Sequence, residues 1–149
     1  MNRSVMILAA GRGERMGDLT KETPKPLLIF NDKPLIVWHI EKLAAAGFID
    51  IVINVSYLAE KIKDYLGSGS QWGVRIVFSD ENPVLETAGG IKKALPLLKS
   101  NPFLVINSDV FSDINYAELY KLNLPENIEG LLFFVKNPLH NPTGDFLLG

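Results

Sequence analysis

The sequence predicts an α/β domain whose core is a doubly wound, mostly parallel β-sheet. Two patterns carry that expectation. Short runs rich in Val, Ile and Leu alternate with stretches of helical periodicity, which is the order of βαβ units. The first of them, residues 5–9, is continuously apolar rather than alternating, as strands covered on both faces are.

The first run, residues 5–9, leads into a polar loop over 10–26 that is punctuated by glycine and proline. Residues 27–30 read as a short extended piece, with Asn31 and Asp32 as turn residues. From Pro34 a helical pattern (Leu35, Ile36, Trp38, Ile40, Leu43, Ala44) runs to Gly47, with proline at the start and glycine past the end. Residues 51–55 predict a second central strand, followed by a helix from about Ala59 to Leu66 and a surface loop over 67–70. Residues 74–78 predict a third strand, 88–98 a helix, 103–107 a fourth strand and 131–135 a fifth, with a helix near Tyr116. Asp145 to Leu148 resemble the start of another strand that Gly149 cuts off, so a chain truncated at its C-terminus is expected. No internal repeat or low-complexity tract interrupts this order.

The totals bound the function. At 149 residues the chain is one domain with enough length for a real core. Its 47% hydrophobic and 21% charged residues are ordinary for a globular protein, and the formal charge of -2 offers no basic footprint for nucleic acid. There is no cysteine, which removes disulfide and thiolate chemistry and fits a reducing compartment. Arg3 and the apolar run after it are too short for a signal peptide, being broken at once by Gly11, Arg12 and Gly13. No stretch reaches the roughly 18 apolar residues of a membrane span, so a cytoplasmic protein is expected.

In open α/β sheets ligands sit beyond the carboxyl ends of the strands. Two such ends here are unusual. After the first run come Ala10, Gly11, Arg12, Gly13, Glu14, Arg15 and Met16, then Pro24, Lys25 and Pro26. Glycines let backbone N–H groups close around phosphates, and Arg15 and Lys25 supply charge. The spacing is neither that of a Walker A loop nor the dinucleotide fingerprint, whose third glycine is Met16 here. An ordinary glycine-rich turn with exposed charges would look the same. The second end is Asn107, Ser108 and Asp109; a carboxylate there is either a metal ligand or a helix cap, although Asp113 stands nearer the helix at Tyr116. Thr87 reads as the N-cap of the helix that follows it. Trp38 and His39 lie within an amphipathic helix, where packing or exposure explains them, Trp72 covers the sheet edge, and His140 reads as a solvated loop residue.

The two-part pattern, residues 8–16 continued by Pro24, Lys25, Pro26 and Leu27, resembles the signature of the sugar-1-phosphate nucleotidyltransferases. The resemblance implies a Rossmann-like nucleotidyltransferase fold, with residues 1–149 forming the nucleotide-binding part of a single domain. It implies that Ala10, Gly11, Gly13, Glu14 and Arg15 wrap a nucleoside triphosphate, that Arg15 contacts the pyrophosphate leaving group and that Lys25 holds the α-phosphate. Asp109 would be a ligand of Mg²⁺, and Asn107 and Asp145 would meet the second substrate, a sugar 1-phosphate. Glu81 would lie near the edge of the base, with Glu86, Thr87 and Gly89 along its face. Residues 83–91 and Gly144, Asp145 and Phe146 are most similar to the uridylyltransferases that act on N-acetylmuramate 1-phosphate in bacterial cell-wall recycling. A guanylyl-, thymidylyl- or cytidylyltransferase, or a non-catalytic domain sensing a nucleotide sugar, are the alternatives. The family's second metal-binding aspartate has no counterpart among the 149 residues. No nucleic acid or membrane partner is implied, while an exposed sheet edge favours a homo-oligomer.

Overall fold

The computed structural model describes residues 3–137, 139 and 142–144. Strand β1 (Ser4–Leu8) lies inside the sheet, flanked on one side by β4 (Asp50–Val55) and then β5 (Arg75–Asp80), and on the other by β6 (Leu104–Asn107). All three pairings are parallel, with Ile7 in register with Ile53 on one side and Ile106 on the other. Between the first strand and its neighbours come a two-stranded antiparallel hairpin, β2 (Ile29–Phe30) and β3 (Lys33–Pro34), and helix α1 (Leu35–Ala45). Helices α2 (Ala59–Leu66), α3 (Glu86–Ala94) and α4 (Tyr116–Lys121) complete the fold.

Side chains of a strand alternate between faces, so a fully apolar strand serves two cores. Here Val5, Ile7, Ile51 and Ile53 face one core with Ile36, Ile40 and Leu43 of α1, Ile62 and Leu66 of α2, and Tyr116 of α4. Met6 and Val52, the residues between them, face the other core with Ala94 and Ile91 of α3. The expected doubly wound sheet is therefore present, and its first, second, third and fourth strands fall where the apolar runs stand.

Four expectations are corrected. Residues 27–30 do not form one extended piece: Lys25–Leu27 is a 3-10 turn and only Ile29–Phe30 is strand. The turn after it does use Asn31 and Asp32, both at positive φ (51° and 70°), as a tight two-residue hairpin requires. The helix expected over 88–98 begins earlier and stops at Ala94, followed by a 3-10 turn, Leu95–Leu97. Pro96 is the reason, since it lacks an N–H and its ring crowds the carbonyl four residues back. Thr87 is not a cap: it lies inside α3, whose N-cap position is Leu85 with no side-chain hydrogen bond. Residues 131–135 are exposed and form no strand, although they are apolar. Among the described residues no strand pairs with the outer edge of β6, so the run has no ladder to join.

Trp38 and His39 divide by position on α1. His39 is buried, its Nδ1 3.0 Å from the Tyr116 hydroxyl, whereas Trp38 is half-buried and its indole N–H donates to the Phe30 carbonyl at 2.9 Å. Trp72 packs against the larger core just before β5. His140 lies outside the described residues. No helix among the described residues is long and apolar enough to cross a membrane.

Candidate active site

A cleft of about 700 Å³ opens at the carboxyl ends of the four parallel strands. It gathers the loop after β1, Lys25, the ends of β4 and β6, and the start of α3. Of the residues singled out from sequence, Ala10, Gly11, Gly13, Glu14, Arg15, Lys25, Glu81, Glu86, Thr87, Asn107 and Asp109 all line it. Gly89 does not, lying one turn into α3; a Cβ there would meet that of Leu85 at 2.9 Å. Asp145 lies outside the described residues.

The loop is shaped from within. Gly13 takes a left-handed conformation (φ 67°), and its carbonyl accepts from Met16 N–H at 2.9 Å and the Thr20 hydroxyl at 3.0 Å. A Cβ at Gly13 would lie 3.1 Å from the Thr20 methyl and 3.4 Å from the Lys25 Cβ, so the tight approach of Lys25 needs glycine there. Helix α2 and the turn before it hold the far side of the loop: the Tyr57 hydroxyl, just ahead of the helix, donates to the Lys21 carbonyl at 2.8 Å, and the Lys61 ammonium donates to the Glu22 carbonyl. Pro24 and Pro26, both buried, fix the chain on either side of Lys25.

Lys25 and Asp109 meet across the cleft, Nζ to Oδ2 at 2.5 Å, with both side chains about one-third exposed or less. This settles which element Asp109 serves. The cap of α4 is Asn115, whose side chain accepts from Ala117 N–H at 3.1 Å, so neither Asp109 nor Asp113 caps that helix. Asn107 is exposed at the end of β6, and Ser108 N–H donates to the Leu8 carbonyl at 3.1 Å, tying the two unusual strand ends together. Among the described residues no cluster of three acidic, His or Cys side chains could hold a metal alone.

The third wall is a buried polar chain. Ala9 N–H donates to Asn54 Oδ1, Asn54 Nδ2 donates to Glu81 Oε1, and Leu85 N–H donates to Glu81 Oε2, each at 2.8 Å. Asn54 and Glu81 are both buried. Next to Leu85, Glu86 takes a left-handed φ of 56°, a conformation that costs a non-glycine residue roughly 1–2 kcal/mol. Strain of this sort clusters at ligand sites. Asn54 was not among the residues picked from sequence. Its signal was there: a lone polar residue near the end of an apolar strand, as Asn107 is.

The family model described as Nucleotidyl transferase matches residues 4–144. The chain belongs to the nucleotidyl transferase family. It is similar to N-acetylmuramate alpha-1-phosphate uridylyltransferase of Neisseria meningitidis, 56% identical over 146 residues, which cover 96% of this chain and 63% of the relative. It is also similar to mannose-1-phosphate guanyltransferase of Yarrowia lipolytica, 41% identical over 88% of this chain and 37% of that one. Among solved structures, HddC of Yersinia pseudotuberculosis complexed with GMP-PN superposes with a TM-score of 0.70 at 30% identity, covering 80% of this chain and 53% of HddC. The chain thus spans between about a third and two-thirds of the length of the relatives it matches.

Proposed function

We propose that residues 1–149 form the nucleotide-binding part of one nucleotidyltransferase domain, in an enzyme that transfers UMP from UTP to N-acetylmuramate 1-phosphate. The observation that carries this is the pairing of Lys25 with Asp109 opposite the glycine-shaped loop, in a cleft roomy enough for a nucleotide. A cation and a carboxylate facing a glycine-rich loop suit a triphosphate with its counterion. The similarity to the Neisseria uridylyltransferase supports UTP as donor and N-acetylmuramate 1-phosphate as acceptor. That reading places the protein in the cytoplasm, in peptidoglycan recycling, with self-association through an exposed sheet edge.

In this reading an oxygen of the sugar 1-phosphate attacks the α-phosphorus of UTP. The new P–O bond forms as the bond to the β-phosphate oxygen breaks, and pyrophosphate leaves. The attacking phosphate is already ionised, so no side chain need act as nucleophile. Lys25 holds the α-phosphate and Arg15, exposed in the loop, the departing pyrophosphate; Ala10, Gly11, Gly13 and Glu14 wrap the chain of phosphates. Asn107, and Asp145 beyond the described residues, would take the sugar phosphate and sugar. Glu86 and Thr87 flank the base; Gly89, set back in α3, does not line the cleft.

The donors present suit Mg²⁺: one hard carboxylate, Asp109, beside a phosphate cradle is how this ion is commonly held, with phosphate oxygens and water completing the shell. Bound there, Mg²⁺ would neutralise charge developing on the phosphates. Asp109 is the residue that would hold it.

A guanylyltransferase is the second reading. It is favoured by the Yarrowia relative and by the Glu81 carboxylate, an acceptor-only group that suits the paired ring and amino N–H donors of guanine. Calorimetric titration with UTP and GTP, each with Mg²⁺, decides between them: tighter UTP binding is expected, and tighter GTP binding would move the protein to the second reading.

A further inference from the structure

We propose that Asn54 is a positioning residue for base recognition, fixing the Glu81 carboxylate and locking the base wall of the cleft to its phosphate wall. The inference rests on the nucleotide-binding role proposed above. Its basis is the direction of the hydrogen bonds. From Ala9 N–H through Asn54 to Glu81 each link donates the same way, and from the other end Leu85 N–H also donates into Glu81. Glu81 therefore receives a donor on each oxygen, which only an acceptor-only group can do; glutamine would turn an amide against one of them. Asn54 is equally constrained, because it must accept at one end and donate at the other.

The chain crosses four elements: the residue after β1, then β4, the residue after β5, and the residue before α3. Packing leaves it no slack. A Cβ on Gly90 would stand 2.5 Å from Glu81 Oε1 and 2.9 Å from Asn54 Nδ2, so α3 presses its backbone directly onto the pair. Both residues line the cleft, between the loop that shapes the phosphate side and Glu86 and Thr87. A buried polar group fully bonded in this way has one orientation, and losing one partner costs more than losing the pair. Asn54 thereby sets where the spare lone pairs of Glu81 point, without itself being the group a base would touch.

The test separates positioning from mere structure. Asn54→Asp keeps an oxygen for Ala9 N–H, so the phosphate side is preserved, but sets a carboxylate against Glu81 where a donor stood. Affinities are measured by calorimetry, with Mg²⁺, for inorganic triphosphate and for whichever of UTP and GTP the unaltered chain binds better. The ratio of nucleotide to triphosphate affinity is expected to fall by about 10-fold or more, the scale of a lost hydrogen bond to a charged group. Triphosphate binding itself should change little. If Asn54→Asp does not melt cooperatively, Asn54→Ser, which removes the bridge without adding charge, is read by the same ratio. Equal losses for both ligands, or none, would overturn the proposal while leaving the nucleotide site standing. An unaltered chain that binds nucleotide no better than triphosphate would sink both.

Discussion

Lys25 and Asp109 come from segments 84 residues apart, yet they share one proton-bearing contact at the mouth of the cleft. Each neutralises the other until a ligand arrives, so removing either has two effects that can be told apart. The pair is partly exposed, and partly exposed ion pairs contribute little to stability, about 1 kcal/mol at most. Lys25→Met should therefore move the urea midpoint only slightly, while nucleotide affinity drops by about 10-fold or more through loss of a charge-assisted contact. Asp109→Asn should keep the fold and abolish the Mg²⁺-dependence of binding; a variant whose binding still responds fully to Mg²⁺ would remove Asp109 from the metal site. His39 shows the same scale acting on stability. Burial pushes its pKa below the usual histidine value, and its Nε2 is buried with no hydrogen-bond partner among the described residues. The unfolded chain then binds the proton more readily than the folded one. Stability conferred by the neutral ring is present above the unfolded pKa of about 6.5 and is lost as pH falls towards the depressed folded value. Urea midpoints between pH 7 and pH 5 should fall with acidification, and His39→Leu should flatten that part of the curve; an unchanged slope would refute the assignment.

At the level of elements, α3 shows how a helix can be chosen for closeness rather than propensity. Gly90 sits inside it, where alanine is ordinarily better by about 1 kcal/mol. Here the added methyl would collide with Glu81 and Asn54. Gly90→Ala should thus destabilise, by roughly 1–3 kcal/mol as overpacking does, and weaken nucleotide binding; a stabilised variant would show that the helix can retreat. The sequence betrays such elements unevenly. Strands over residues 5–9, 51–55, 74–78 and 103–107 are legible because burial leaves them almost entirely apolar, with Asn54, Arg75 and Asn107 as the exceptions. Residues 131–135 carry the same local pattern and form no strand among the described residues, because pairing depends on a neighbour that local composition does not report. The helix expected to run through Pro96 ends before it, a stop that was present in the letters. The phosphate-side residues were readable since glycine, Arg15 and Lys25 declare themselves by type. Asn54 was not, because its two partners, Ala9 just after β1 and Glu81 just after β5, are remote in the chain, and only the folded sheet brings them to it.

For the whole molecule the question is how much of a working site four parallel strands can assemble. The loop after β1, Lys25, Asp109, the Asn54–Glu81 chain and the start of α3 all surround one cleft, so nucleotide should bind to the 149-residue chain itself. Binding to the folded state alone raises stability by mass action, by about 2.7 kcal/mol when ligand stands at 100 times its Kd, and the melting temperature should climb with UTP and Mg²⁺. Turnover is a harder demand. One carboxylate, Asp109, stands at the proposed metal position among the described residues, and the chain matches 63% of the Neisseria relative's length. A metal held by one side chain and by the substrate's own phosphates can bind, but it is weakly fixed for in-line attack, where a misplacement of about 1 Å costs around 100-fold. Pyrophosphate release with N-acetylmuramate 1-phosphate as acceptor should therefore be slower from this chain than from the Neisseria enzyme by at least about that factor, with UTP affinity much closer. Comparable rates would show that Lys25, Arg15 and Asp109 suffice for the chemistry, and that the proposed division between binding and turnover is wrong.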